Sequence, residues 1–387
     1  MSPRALRVLH LLELPKWRSG QQLLGRIAAR RAGLTKSHAA VVVMVLAWCL
    51  VEVALQWRSQ VRLGQSAMSA IVGQGDSRLD PVTGLNLFRP NARLGGRERE
   101  IRTNSMGLRS AEIPFEKGPG VVRVAVLGAS TVMGAYSASN DLTLPGRLEA
   151  NLHQRFPNKS VEVINAGISG LSVHEQGQLY EKLIQKYSPD VVVVYSGFND
   201  FAGYCRKTKA PAKRQPSPLV QISLPKWLLS VELLVKNSTL LRETAVRTSR
   251  IIDASRLDLT GYQREFESLL AVIRRSGAES VVATNSKSYR RTQTTEMQSR
   301  LSGPARYYNA CFDVDGLHTL YERHNAIIRT AASRAQVPLV PLHDLIPGGE
   351  RYFADASHFS AAGDQLAADL IADVLANDRA FADMPAE

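Results

Sequence analysis

"RVAVLGASTVMGAYS", residues 123–137, joins a short apolar run to a tight turn with a hydroxyl at its tip. Val124 to Leu127 read as a buried strand, and Gly128, Ala129, Ser130 and Thr131 stop it abruptly. A serine in such a turn either caps the helix that follows or stands exposed as a nucleophile. Working outward, further short apolar runs rich in Val lie at 161–164, 190–195, 279–284 and 337–341. They alternate with helix-period segments near 141–156, 172–187, 257–276, 316–335 and 360–376. Short apolar strands alternating with amphipathic helices predict an α/β fold, with a parallel five-stranded sheet covered on both faces. The alternation breaks once, between Phe201 and about Arg256, where a Pro-rich and Lys/Arg-rich segment is inserted.

In an open parallel sheet, ligands bind beyond the carboxyl ends of the strands. The first three strands are followed by "GAST", "NAGISG" and "SGFND", which deliver Ser130, Gly167 and Asn199 to one rim. The last strand leads through a loop to "FADASHFSAAG", which adds Asp355 and His358 at the same edge. A serine hydroxyl becomes a useful nucleophile when a base takes its proton and a third group orients that base. Asp355 stands three residues before His358, a spacing that lets the carboxylate reach Nδ1–H and leaves Nε2 for Ser130. The backbone N–H groups of Ser130 and Gly167, with the side-chain amide of Asn199, are candidate donors to an oxyanion. Each piece alone has a plain alternative as a cap or a turn. Their occurrence together, at four strand ends in this order, is what carries the reading.

These pieces resemble the SGNH (GDSL-type) hydrolase family, in its membrane-anchored bacterial form. The matching residues are "GAST" with Ser130, "NAG" with Gly167, "GFND" with Asn199 and "DASH" with Asp355 and His358, within roughly residues 121–378. The upstream pieces "DPVTG", "PN" and "TNSMGLR" extend the resemblance. It implies a flavodoxin-like three-layer α/β/α fold, no cofactor, and hydrolysis or transfer of acyl esters. One departure is Ala129, where the family usually has Asp before the serine. The D-x-x-H piece supplies the acid of the triad, so Ser130 keeps its base, while the rigidity of its turn is put in question.

The net charge of +13 is unevenly placed. Residues 1–37 carry Arg4, Arg7, Lys16, Arg18, Arg26, Arg30, Arg31 and Lys36 against the single acid Glu13. Directly after comes "AAVVVMVLAWCLVEVAL", Ala39–Leu55, interrupted only by Glu52. As a helix it covers roughly 25 Å, enough for a thin or adapted bilayer. Trp48 and Trp57 suit an interface, and Arg58 can snorkel. Cations before the run place the N-terminus in the cytoplasm and the rest outside it. The expected organisation is a cytoplasmic basic segment (1–37), a transmembrane signal-anchor (38–58), a β-rich preamble (59–120) and the hydrolase domain (121–378) with a cap insertion at 202–256. Cys205 and Cys311 would then lie in an oxidising compartment, either paired or as two unrelated buried thiols.

Other chemistries fit poorly. "GASTVMG" is neither G-x-G-x-x-G nor a P-loop. His318 and His324 lack metal-site spacing and read as surface or core histidines. The basic N-terminus adjoins the apolar run and lacks interleaved aromatics, so it reports topology and not nucleic-acid binding. The expected protein is a single-pass inner-membrane esterase facing the periplasm, removing acyl groups, acetyl foremost, from a carbohydrate. An O-acyltransferase on the same triad and a non-catalytic polysaccharide-binding or assembly subunit are the alternatives, the latter favoured only by Ala129. The cluster at 206–214, with Arg206, Lys207, Lys209, Lys213 and Arg214, is either a solvated loop or a contact for an anionic polymer. After it, "PKWLLSVELLVKNSTLL" (225–241) reads as a helix with Trp227, Leu228, Val231 and Leu234 close to one face.

Overall fold

The computed structural model describes residues 19–63, 76–96, 98–208, 228–231, 233–234 and 251–377. The cationic side chains of residues 1–37, those of the cluster beyond Arg206, and Trp227 lie outside what is described. Two compact units are present, Met1–Trp57 and Arg58–Glu387.

In the first, the helix Ser19–Leu63 begins well before the apolar run. Its segment His38–Val61, 24 residues, is long and apolar enough to cross a membrane. Val41, Val43, Leu46 and Leu50 are exposed along it. The one acid in the run, Glu52, accepts a hydrogen bond from Gln56 Nε2 at 2.7 Å, one turn further on.

The second unit holds a parallel five-stranded sheet made of β5 (Val121–Gly128), β6 (Ser160–Gly167), β7 (Val191–Tyr195), β8 (Glu279–Ala283) and β9 (Leu339–Val340). Their order across the sheet is β6-β5-β7-β8-β9. Side chains alternate between faces with a period of two. Ala125, Leu127, Val192 and Val194 therefore join one core, with Leu179, Phe266 and Ile273 from the helices Val173–Lys182 and Thr260–Arg275. Val124, Val126, Val191 and Val193 join the other, with Leu148 and Ile371 from the helices Leu144–Arg155 and Ala361–Asn377. Three layers result, as the pattern predicted. Gly128 pairs with Gly167 on one side and with Tyr195 on the other, so the ends of β5, β6 and β7 come level. The chain goes from β5 to one side for β6 and to the other for β7. That reversal opens a crevice at the carboxyl ends.

The preamble forms two small antiparallel sheets. One pairs β1 (Ser77–Leu79) with β2 (Asn86–Phe88), the other β3 (Arg93–Gly96) with β4 (Arg99–Arg102). The "DPVTG" turn between β1 and β2 is held by Asp80 Oδ2, which accepts from both the Thr83 N–H and its hydroxyl at 2.7 Å. In the inserted segment, Leu228 is buried while Leu234 is 68% exposed, so the apolar face read from the sequence is only partly covered.

Candidate active site

Ser130 opens a single helical turn, Ser130–Met133, directly after β5. Gly134 ends that turn in the left-handed region at φ 83°, and the Ala135 N–H returns to Ser130 O at 3.0 Å. Ala129 sits at the N-cap position and offers no side-chain acceptor to the turn's first N–H groups. The serine is thus held on a strand-to-helix elbow and not buried as a cap.

Asp355 and His358 come from the loop before the last helix. Asp355 Oδ1 accepts the N–H groups of Ser357 and His358, both at 2.9 Å. Its Oδ2 lies 2.7 Å from His358 Nδ1, and His358 Nε2 lies 2.7 Å from Ser130 Oγ. The loop is fixed from outside by the Ser288 N–H on Ala356 O (3.0 Å), and within itself by the Ala354 N–H on His358 O (2.9 Å). Burial pushes the Asp355 carboxyl up, but the His358 ring and the two backbone N–H groups outweigh it and hold the pKa below 3.8. Asp355 is therefore an ionised acceptor at neutral pH.

Asn199 lies in the 3-10 turn Phe198–Asp200 after β7. Its Nδ2 donates to Leu171 O at 3.1 Å, which orients the amide and leaves its second N–H without an acceptor among the described residues. Asp200 accepts the Val173 N–H at 3.3 Å, at the start of the helix that precedes β7. Gly167, expected as a third oxyanion donor, ends β6 beside the serine turn. Its N–H donates to Asn165 Oδ1 at 3.0 Å. A Cβ there would stand 2.2 Å from Met133 N, so the glycine lets the serine turn settle against β6. His318 and His324 are both core histidines, bonded to Gln298 Oε1 at 2.8 Å and to the Tyr204 hydroxyl at 3.0 Å.

Two contributors escaped the sequence reading. The Tyr136 hydroxyl donates to Asp355 Oδ2 at 3.2 Å, and its ring lies 5.5 Å from that of His358. Burial and the Asp355 charge raise the Tyr136 pKa to about 12, so the hydroxyl keeps its proton. Arg109, fully buried, donates to Gly134 O (2.5 Å), Ser137 O (3.0 Å) and Glu100 O (2.8 Å), tying the serine loop to the preamble. "GAYS" and "GLR" held the only trace of either, and neither pattern names a partner.

Ser130, Asn199, Asp355 and His358 all line one cleft of about 1080 Å³. Its remaining walls include Tyr136, Ser169, Phe198 and Tyr308. A hydroxyl, a ring nitrogen aligned to take its proton, and an ionised acceptor behind that ring are the parts needed for attack on an ester carbonyl.

Residues 126–366 match the model of the GDSL-like Lipase/Acylhydrolase family. Solved structures similar to this chain include the lipase/acylhydrolase from Enterococcus faecalis, at 16% identity and TM-score 0.37, covering 65% of this chain and 94% of that one. Another is an alpha/beta hydrolase from the metagenome of Lake Arreo, at 14% identity and TM-score 0.40, covering 70% and 99%. A third is an acetyl xylan esterase from Geobacillus stearothermophilus, at 14% identity and TM-score 0.39, covering 66% and 93%. No curated protein matches the chain. The matched span runs from inside β5 to the final helix and takes in every residue of the hydrogen-bonded Ser–His–Asp chain; the protein belongs to the GDSL-like lipase/acylhydrolase family.

Proposed function

We propose that this protein is a membrane-anchored serine esterase that removes acyl groups, acetyl foremost, from a carbohydrate on the outer side of the membrane. The observation that carries the reading is the continuous chain Ser130 Oγ, His358 Nε2, His358 Nδ1, Asp355 Oδ2, with both contacts at 2.7 Å, opening on a cleft. Ser130 attacks the ester carbonyl as His358 takes its proton. His358 returns that proton to the departing sugar oxygen, and water then releases the acyl group by the same two steps. Asp355 holds the imidazole and stabilises its charged form. The Ser130 N–H and the Asn199 amide stabilise the oxyanion, and the Gly167 N–H, shared with Asn165, is the weakest of the three expected donors.

A carbohydrate suits walls made of Ser, Asn, Tyr and charged side chains better than an aliphatic chain does. The outward orientation draws support from the cations before the apolar run and from the Cys205–Cys311 disulfide, whose Cα atoms lie 5.5 Å apart. The full chain in detergent micelles, incubated with acetylated polysaccharides and chromogenic acetyl esters, should release acetate. Activity that requires an added sugar acceptor would instead make the protein a transferase. Silence on every ester, with saccharide binding intact, would make it a binding subunit.

A further inference from the structure

The cleft carries more charge than ester chemistry uses. Glu98, Arg99, His174, Glu175 and Arg206 line it together with the Ser–His–Asp chain. Most of these groups are engaged elsewhere. Glu175 accepts the Ser172 hydroxyl (2.7 Å) and N–H (2.8 Å) in a capping box. His174 pairs with Glu265 at 2.9 Å, Asp355 is held by His358, and Glu98 is not free either. Arg99 and Arg206 differ, because neither makes a contact ion pair with a carboxylate among the described residues, although Asp76 lies within electrostatic reach of Arg99.

Arg99 is also the better fixed of the two. It is the first residue of β4, and its Nη1 donates to Ala135 O at 2.6 Å. Ala135 in turn donates its N–H to Ser130 O, so the guanidinium stands one residue's hydrogen bonds away from the nucleophile. Its Nε is buried with no acceptor, so the donors it can offer the cleft are those of the two Nη groups. The positive charge of Arg99 reaches the Tyr136 hydroxyl, which faces the Asp355 end of the chain. A guanidinium fixed by its own hydrogen bond, with donors left over, matches a planar oxyanion at little entropic cost.

We infer that Arg99, with Arg206 on the same cleft, forms a subsite for a carboxylate, so that the favoured substrate is an acidic saccharide whose ester lies close to a uronate group. This rests on the esterase reading of the cleft. The preamble then supplies a substrate-reading wall as well as structural support. Arg206, from the helix Phe201–Thr208 that follows Asn199, completes the wall.

The test uses the full chain in detergent micelles, with an acetylated oligogalacturonate and an acetylated xylo-oligosaccharide as the acidic and neutral substrates. Wild type should favour the acidic one, with an advantage that shrinks as salt is raised. Arg99→Gln should lower the acidic-over-neutral ratio of kcat/KM about tenfold, mainly through KM, and Arg99→Lys should recover part of it. A ratio unchanged in Arg99→Gln, or equal losses on both substrates, overturns the subsite. Calorimetry on Ser130→Ala separates the two readings. Binding of the oligogalacturonate that Arg99→Gln removes upholds the subsite even where wild type releases no acetate, and then only the esterase reading falls. Absent binding, with neutral ester turnover intact in wild type, overturns the subsite alone.

Discussion

Ser130 and His358 are 228 residues apart in the chain and 2.7 Å apart in the fold. If they act as one unit, removing either should cost nearly as much as removing both. Ser130→Ala and His358→Ala are each expected to abolish ester turnover while circular dichroism stays unchanged. Asn199→Ala removes the amide proposed as an oxyanion donor and should lower kcat on the order of 10²–10³. Tyr136→Phe keeps the ring beside His358 and deletes only the hydroxyl on Asp355. A loss of a few-fold in kcat follows, the size of one net hydrogen bond of about 1 kcal/mol. Asp364 makes a different prediction. Burial raises its pKa to about 7 although the Ser137 hydroxyl donates to it at 2.9 Å. The folded chain therefore holds a proton that the unfolded chain has released above pH 3.8. The stabilisation is complete below that pH and is lost as pH rises through about 7. Asp200, raised to about 7 by its burial, works in the same direction. Asp364→Asn should flatten the decline of Tm between pH 4 and 7; an unchanged slope would remove Asp364 from the account.

At the scale of elements, the preamble is bound into the hydrolase core. The hairpin β3–β4 bonds to the loop after the serine turn through the Glu100 N–H on Ala138 O, at 2.8 Å. Arg109 bonds to three backbone carbonyls of the serine turn and that loop and to Glu100 O of β4, and burial lowers its pKa to about 10, still charged at neutral pH. Arg109→Leu would leave those carbonyls without their donor, and a loss of about 3 kcal/mol or more in denaturant unfolding is expected. On the other side of the cleft, the disulfide ties the helix Phe201–Thr208, which follows Asn199, to Cys311 across 106 residues. A loop of that length corresponds to about 4–5 kcal/mol of chain entropy. Cys205→Ser with Cys311→Ser should lower the denaturant midpoint accordingly, and reductant should have the same effect on wild type and none on the double variant.

For the whole molecule, the asymmetry of charge about the apolar helix sets the expected topology. A reporter active only in the cytoplasm, fused after Glu387, should be silent; a strong signal would reverse the orientation and remove the periplasmic assignment. Much of the fold was legible in the sequence because it is written in local periods. The run at 122–127 became β5 (Val121–Gly128), and the helix read at 316–335 became Val314–Ala335. The residues that meet at Ser130 were legible for a related reason: parallel strands end on one edge, so motifs after successive strands are brought to one rim. Contacts that depend on how separate elements pack were not legible. Tyr136 reaches Asp355 across 219 residues, Arg109 threads under Gly134, and Cys205 finds Cys311. Gly167 was singled out for its N–H, but packing gave that group to Asn165 and used the missing side chain as the seat of the serine turn. By itself the sequence determined the strands, the helices and the rim on which the chemistry sits, since side-chain period and strand direction are local properties. Tertiary structure alone decided which side chains support that rim, because their partners are chosen by the closing of layers that no local pattern encodes.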